Sequence, residues 1–216
     1  MENKSPSSSA GFNAKLISSA CPSFEDTVRL FNESEKKWPN RSWRSRDLTE
    51  KSNNISFSLS PEIQNEITES LVFVRANNLK LDTITQEDFR LPSLARSMSE
   101  FRGRLDKGTG FMVLHTGLAE ALTETDFEIL GWALCNYFGQ IIRQGIDHDL
   151  RLFTVADKGA ANTDPTRIGA SAKRSAKHSD NGCLEPRPPC YLGLFCYQSS
   201  DQGGESTIIS AQSILG

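Results

Sequence analysis

The long helical patterns in this chain all end by Gly139, and beyond it short apolar runs alternate with polar loops and turns. Helices first and a β-rich half second predict an α+β fold. The helix signals are specific. Ser60 stands at a cap position, Pro61 takes the first helical position, and EIQNEITESLVFVRANN follows with apolar residues three and four apart. A second helix is expected from about Pro92 through SLARSMSEFRGRL. Thr123 caps ETDFEILGWALCNYFG, with Asp126 three residues on and Gly139 as the stop. Between the last two helices DKGTG is a turn and GFMVLHTG a buried strand.

The ends differ in character. Residues 1–20, opening MENKSPSSSAG, form a flexible tail, and 21–216 form the domain. Ser23 is a cap candidate before FEDTVRLFNESEKK. QIIRQ, after Gly139, is a short strand or extended piece, and Asp157 to Ala176 is a long polar loop. YLGLFCY, SSDQGGE and STIIS then alternate as antiparallel hairpins, with Gly203 and Gly204 at a turn. AQSILG has the pattern of a helix opening.

A hydrophobic fraction of 37% with 24% charged residues supplies one core, and excludes a collagen, a coiled coil and a wholly disordered chain. No apolar run is long enough to span a bilayer, and the N-terminus lacks the apolar stretch of a signal peptide, so a cytoplasmic protein without membrane contact is expected. The net charge of −3 argues against a dedicated nucleic-acid binder. Lys36, Lys37, Arg41, Arg44 and Arg46 interleave with Trp38 and Trp43. That stretch either touches nucleic acid or is an extended segment whose Trp rings pack on the domain, and the acidic balance of the chain favours packing.

The five Cys are Cys21, Cys135, Cys183, Cys190 and Cys196. An odd count with no CxxC favours reduced thiols, small buried residues rather than a zinc site. Only three His are present, so a site needing imidazoles has few choices. His148, in GIDHDL, is a solvated turn residue, and His115 is a strand end. His178 lies in AKHSDNG. On a strand, His178 and Asp180 would share one face and supply two legs of a two-histidine-one-carboxylate Fe(II) site. In a turn, Asp180 would bond the local backbone and His178 would be solvated.

The stretch His178 to Ser213, HSDNGCLEPRPPCYLGLFCYQSSDQGGESTIISAQS, resembles the taurine dioxygenase-like (TauD/TfdA) family of Fe(II)/2-oxoglutarate oxygenases. The likeness rests on His178, Ser179 and Asp180, then Pro186, Pro188 and Pro189, then the apolar run Tyr191 to Cys196, then Gly203, Gly204, Glu205 and Ser206. Upstream, FSLSPEIQNEI, GFMVLHTG and LTETDFEILGWALCNYFG resemble the family's first helix, the strand entering its core and the helix that follows.

The resemblance implies a double-stranded β-helix (a jelly roll, clavaminate synthase-like) with flanking helices. It implies Fe(II), 2-oxoglutarate as co-substrate, dioxygen and a small-molecule substrate, with succinate and CO₂ as products. His178 and Asp180 match the metal ligands, and Ser206, with Thr207 beside it, matches the hydroxyl residue that bonds 2-oxoglutarate. The family's second His and its carboxylate-pairing Arg belong well downstream of the Gly-Gly turn, and no residue after Thr207 is a His or an Arg. The expectation is therefore the N-terminal part of an oxygenase domain, incomplete at the C-terminus. The alternative is a catalytically inactive remnant or an interaction protein. Arg167, Lys173, Arg174 and Lys177 lead into the site, as an anion-attracting run or as a solvated loop.

Overall fold

A computed structural model describes residues 41–48, 55–142, 151–156, 175–178, 190–200 and 202–215. The 1–20 tail, the Ser23-capped segment, Trp38, His148, most of the 157–176 loop, Cys183, Pro186, Pro188, Pro189 and the Ser179–Asn181 part of the motif lie outside the described residues.

Two short strands and three long helices organise the rest. Strand β1 is Ser56–Ser58, helix α1 Pro61–Ala76, helix α2 Pro92–Lys107, strand β2 Val113–His115 and helix α3 Glu124–Phe138. A final turn of helix, α4, is Ala211–Leu215. The strands pair in parallel, Ser56 with Val113, Phe57 with Leu114 and Ser58 with His115. A parallel pair needs a long crossover, and here α1 and α2 provide it. Side chains alternate along each strand, so Phe57 and Leu114 turn toward the helices while Ser56, Ser58, Val113 and His115 face outward.

Helix α1 starts where its sequence says. Ser60 Oγ accepts from the Ile63 amide at 3.3 Å, and Pro61 occupies the first turn, where its missing N–H costs nothing. Ile63, Ile67, Leu71 and Val74 form one buried stripe, spaced four, four and three apart. At its end Asn78 takes a left-handed φ of 48°, while Leu79 N donates to Val74 O and Asn78 N to Arg75 O, both at 3.1 Å. This pair of bonds closes the helix in a Schellman motif. Helix α3 is buried almost all round, from Phe127 through Leu134 to Tyr137, and forms the centre of the core. Thr123 Oγ1 accepts from Asp126 N at 3.2 Å and donates to the Asp126 carboxylate at 2.8 Å. That buried carboxylate also meets Arg75 at 3.3 Å.

Phe89, Leu91 and Ile67 are wholly buried among these helices. Each such side chain contributes about 1.5–3 kcal/mol relative to exposure. The segment before β1 is held on the outside. Trp43 stacks at an angle on Phe111, centroids 5.2 Å apart, and donates from Nε1 to Thr109 O at 2.9 Å. Arg41 donates to Leu105 O at 2.9 Å at the end of α2. Trp43 thus packs on the domain, as the second reading of the basic stretch expects. Ser210 caps α4, accepting from Ser213 N at 3.1 Å, and donates to Arg41 O.

The C-terminal apolar runs are neither helix nor strand, and no ladder joins them among the described residues. Tyr191 to Tyr197 instead lies along one stripe of α3, running opposite to it. Tyr191 meets Phe138 at 6.1 Å, Phe195 covers Gly131, and Tyr197 meets Phe127 at 5.4 Å. A strand needs a partner as well as local propensity, and no local pattern supplies one. No helix among the described residues is long and apolar enough to cross a membrane.

Candidate functional site

His178 ends a described stretch of four residues and is exposed. Its Nδ1 lies 2.6 Å from Ala176 O and 3.2 Å from Ser175 Oγ. A carbonyl oxygen only accepts, so Nδ1 carries the hydrogen. In the neutral ring the lone pair then belongs to Nε2, and a backbone carbonyl on the opposite nitrogen is the usual support of a metal-ligating imidazole. Asp180, the other expected ligand, lies outside the described residues. Among the described residues no three His, Cys, Asp or Glu side chains group closely enough to hold a metal ion. The one expected ligand that is described is an imidazole, a donor type that suits a borderline divalent metal.

His115 plays a different part. It ends β2, as its sequence position suggests, and its Nε2 lies 2.8 Å from Ser56 Oγ on the neighbouring strand.

The Gly-Gly turn is formed. Gly203 and Gly204 have φ of 76° and 80°, two successive left-handed residues of the kind that suit a tight hairpin connection. Ser200 Oγ donates to Gly203 O at 2.6 Å, and a Cβ on Gly204 would stand 2.9 Å from that oxygen. The positive φ at both positions therefore favours glycine. Glu205, Ser206 and Thr207 follow as exposed residues outside any helix or strand. The two hydroxyls expected to bond 2-oxoglutarate are thus adjacent and accessible. Of the basic run before His178, Lys177 is described and exposed, while Arg167, Lys173 and Arg174 lie outside the described residues.

The thiols divide by burial. Cys135 on α3 is pushed up in pKa by burial, whereas Cys190 and Cys196 are exposed, and these three are free. Tyr191 donates to Asp106 at 2.7 Å, and that bond raises its phenol above the ordinary value.

A groove of about 540 Å³ opens elsewhere, between residues 82–86 and the end of α3, with Arg102, Trp132, Asn136 and Ile141 in its walls. Nothing in the sequence marks it, because its lining comes from residues far apart in the chain. Its polar groups already serve the fold: Trp132 Nε1 and Asn136 Nδ2 both donate to Ile84 O, at 2.9 and 3.0 Å. Arg102 donates to the last carbonyls of α3, Tyr137 O at 2.8 Å and Phe138 O at 3.1 Å.

No protein-family model matches this chain. No curated protein matches it either.

Proposed function

We propose that the chain is part of an Fe(II)/2-oxoglutarate-dependent dioxygenase acting in the cytoplasm on a small organic acid, amino acid or natural-product intermediate. The observation that carries this reading is His178, an exposed imidazole whose Nδ1 lies 2.6 Å from Ala176 O, two residues before Asp180 and upstream of a formed Gly-Gly turn. Iron with 2-oxoglutarate and dioxygen supplies a two-electron oxidation: R–H, 2-oxoglutarate and O₂ become R–OH, succinate and CO₂. The protein's own residues hold and orient. His178 and Asp180 offer the imidazole and carboxylate. Ser206 or Thr207 offers a hydroxyl to a carboxylate of 2-oxoglutarate. The Gly203–Gly204 turn redirects the chain between the apolar run and those hydroxyls.

A second reading, an inactive remnant or interaction protein, draws on the apolar side chains along the C-terminal segments. Leu194 is 72% and Ile208 54% exposed. One experiment separates the two. The longest native product of the gene is loaded anaerobically with Fe(II) and 2-oxoglutarate, then supplied with oxygen while succinate is measured. An oxygenase releases succinate, and His178→Ala abolishes the release. No succinate with any acid or amino-acid substrate, together with Fe(II) affinity unchanged by His178→Ala, leaves the second reading standing.

A further inference from the structure

The chain from Gln202 to Ile209 is exposed throughout, and Ser210 is the first buried residue after it. A buried hydroxyl needs hydrogen-bond partners, and this one has both kinds. Ser210 Oγ donates to Arg41 O and accepts from Ser213 N at 3.1 Å. Ser213 Oγ adds a second link, donating to Trp43 O at 2.7 Å. Residues 41–43 are themselves fixed to the domain. Arg41 donates to Leu105 O at 2.9 Å on α2. Trp43 donates to Thr109 O at 2.9 Å and lies against Phe111, two residues before β2. A continuous path of contacts thus runs from the C-terminal turn to the end of α2 and the start of the strand pair. Ser206 and Thr207 lie four and three residues before Ser210. On the other side the chain is held at Tyr197, nine and ten residues away, which meets Phe127 at 5.4 Å and donates to Leu122 O at 3.3 Å. At about 3.3–3.6 Å per residue, Thr207 stays within about 11 Å of Ser210, while the span to Tyr197 allows about three times that. The freedom of the two hydroxyls is therefore set from the Ser210 side.

We infer that Ser210 is a positioning residue for the Ser206–Thr207 pair, with Ser213 as its support. The two serines tie the segment that bears those hydroxyls to residues 41–43, and through them to α2 and β2. The consequence for 2-oxoglutarate rests on the proposed function, in which one of those hydroxyls bonds its carboxylate. The anchoring itself rests on the bonds at Ser210 and Ser213. A hydroxyl that must meet a carboxylate at one place binds it well only where its own backbone is held there beforehand. The segment 41–43 thereby gains a duty that its basic composition does not suggest: its backbone carbonyls, not its charges, take part.

Two readouts on the longest native product test it. ¹⁵N relaxation NMR, without metal or 2-oxoglutarate, gives backbone order parameters at Thr207, Ile208 and Ile209. Values near the rigid level of about 0.85 are expected in the wild type, and values below about 0.6 in Ser210→Ala. In the succinate assay Ser210→Ala should raise the KM for 2-oxoglutarate about 3–10-fold, the loss of one hydrogen bond, with kcat within about twofold. A general loss of fold would instead lower the order of α1 to α3 and kcat together. In that case Ser213→Ala, which removes only the link to Trp43 O, takes its place and should move both readouts the same way by less. Order at 207–209 unchanged in both variants overturns the anchor. Lost order with an unchanged KM overturns the positioning role. No succinate from the wild type defeats the oxygenase reading, and the order parameters then decide the anchor by themselves.

Discussion

The Tyr137 hydroxyl closes the start of a helix on which it does not lie. It accepts from the Leu91 amide at 2.7 Å and donates to Phe89 O at 3.0 Å, bridging both sides of the corner that leads into α2. Leu91 is the cap residue of α2 and has no polar side chain to serve its own helix. Arg102 of α2 returns the favour at the end of α3 by donating to Tyr137 O. The two helices thus satisfy each other's open backbone groups, out of reach of solvent at the Leu91 corner and at a part-buried position at the end of α3.

Tyr137→Phe removes the hydroxyl and leaves a buried amide and carbonyl unpaired at a corner where Leu91 and Phe89 are fully buried. Such orphaned groups cost about 1–3 kcal/mol. Urea unfolding is expected to show that loss with an unchanged slope. A change below a few tenths of a kcal/mol would mean that water reaches the corner.

Alkaline pH should weaken the fold through its tyrosines. Burial is the main cause that raises Tyr137, and the bond to Asp106 is the main cause that raises Tyr191. A phenol raised in the folded state ionises first in the unfolded chain, near pH 10. Its contribution is complete below that pH and is lost as pH climbs through the folded value. The urea midpoint should therefore fall between pH 9 and about 11. Tyr191→Phe should make that fall shallower; an equally steep fall would exclude Tyr191 as a contributor.

Glu66 supplies the other half of the α2 start. Its carboxylate accepts from Ser93 N at 3.1 Å and from Ser93 Oγ at 2.6 Å, an anion from α1 at the N-terminus of α2. Glu66→Ala removes a cap and a favourable charge, and should cost about 1 kcal/mol. Thermal melts at neutral pH check it, with Glu69→Ala on the same helix as the exposed control.

These contacts mark how far the sequence could be read. Ser60 and Thr123 act within their own first turn, so a window of four residues contains the whole interaction. The start of α2 was placed correctly by Pro92, yet its caps come from Glu66 and Tyr137, which are remote in sequence and carry no local sign of that duty. Strand β2 was visible as an apolar run after a turn. Its partner β1 was not read as a strand: FSLS was taken with the helix that follows it, because parallel pairing is decided by the crossover between them. The glycine turn was legible, since two adjacent glycines before an apolar run have few other uses. The apolar runs after Cys190 were read as hairpin strands. What the first of them, Tyr191 to Tyr197, lies against is set by α3, at the stripe Phe127, Gly131, Cys135 and Phe138. At the candidate site, His178 was singled out by spacing and resemblance.

Gly131 tests the contact between that apolar segment and the central helix. Glycine inside a helix costs about 1 kcal/mol relative to alanine, so its presence in α3 calls for a reason. Phe195 offers one: a Cβ at Gly131 would stand 3.4 Å from two carbons of its ring, close but within ordinary contact. Alanine should therefore fit and recover most of the helix propensity, raising the melting temperature. Leucine is a different case. Its longer side chain would occupy the place of the ring, and Phe195 would have to leave Gly131. Hydrogen exchange should then rise across residues 191–197 while α1 and α2 stay protected. If alanine lowers the melting temperature, the ring cannot give way and Gly131 is required for space. If leucine leaves exchange over 191–197 unchanged, the segment is held by Tyr191 and Tyr197 at its ends, and Phe195 contributes little to its docking.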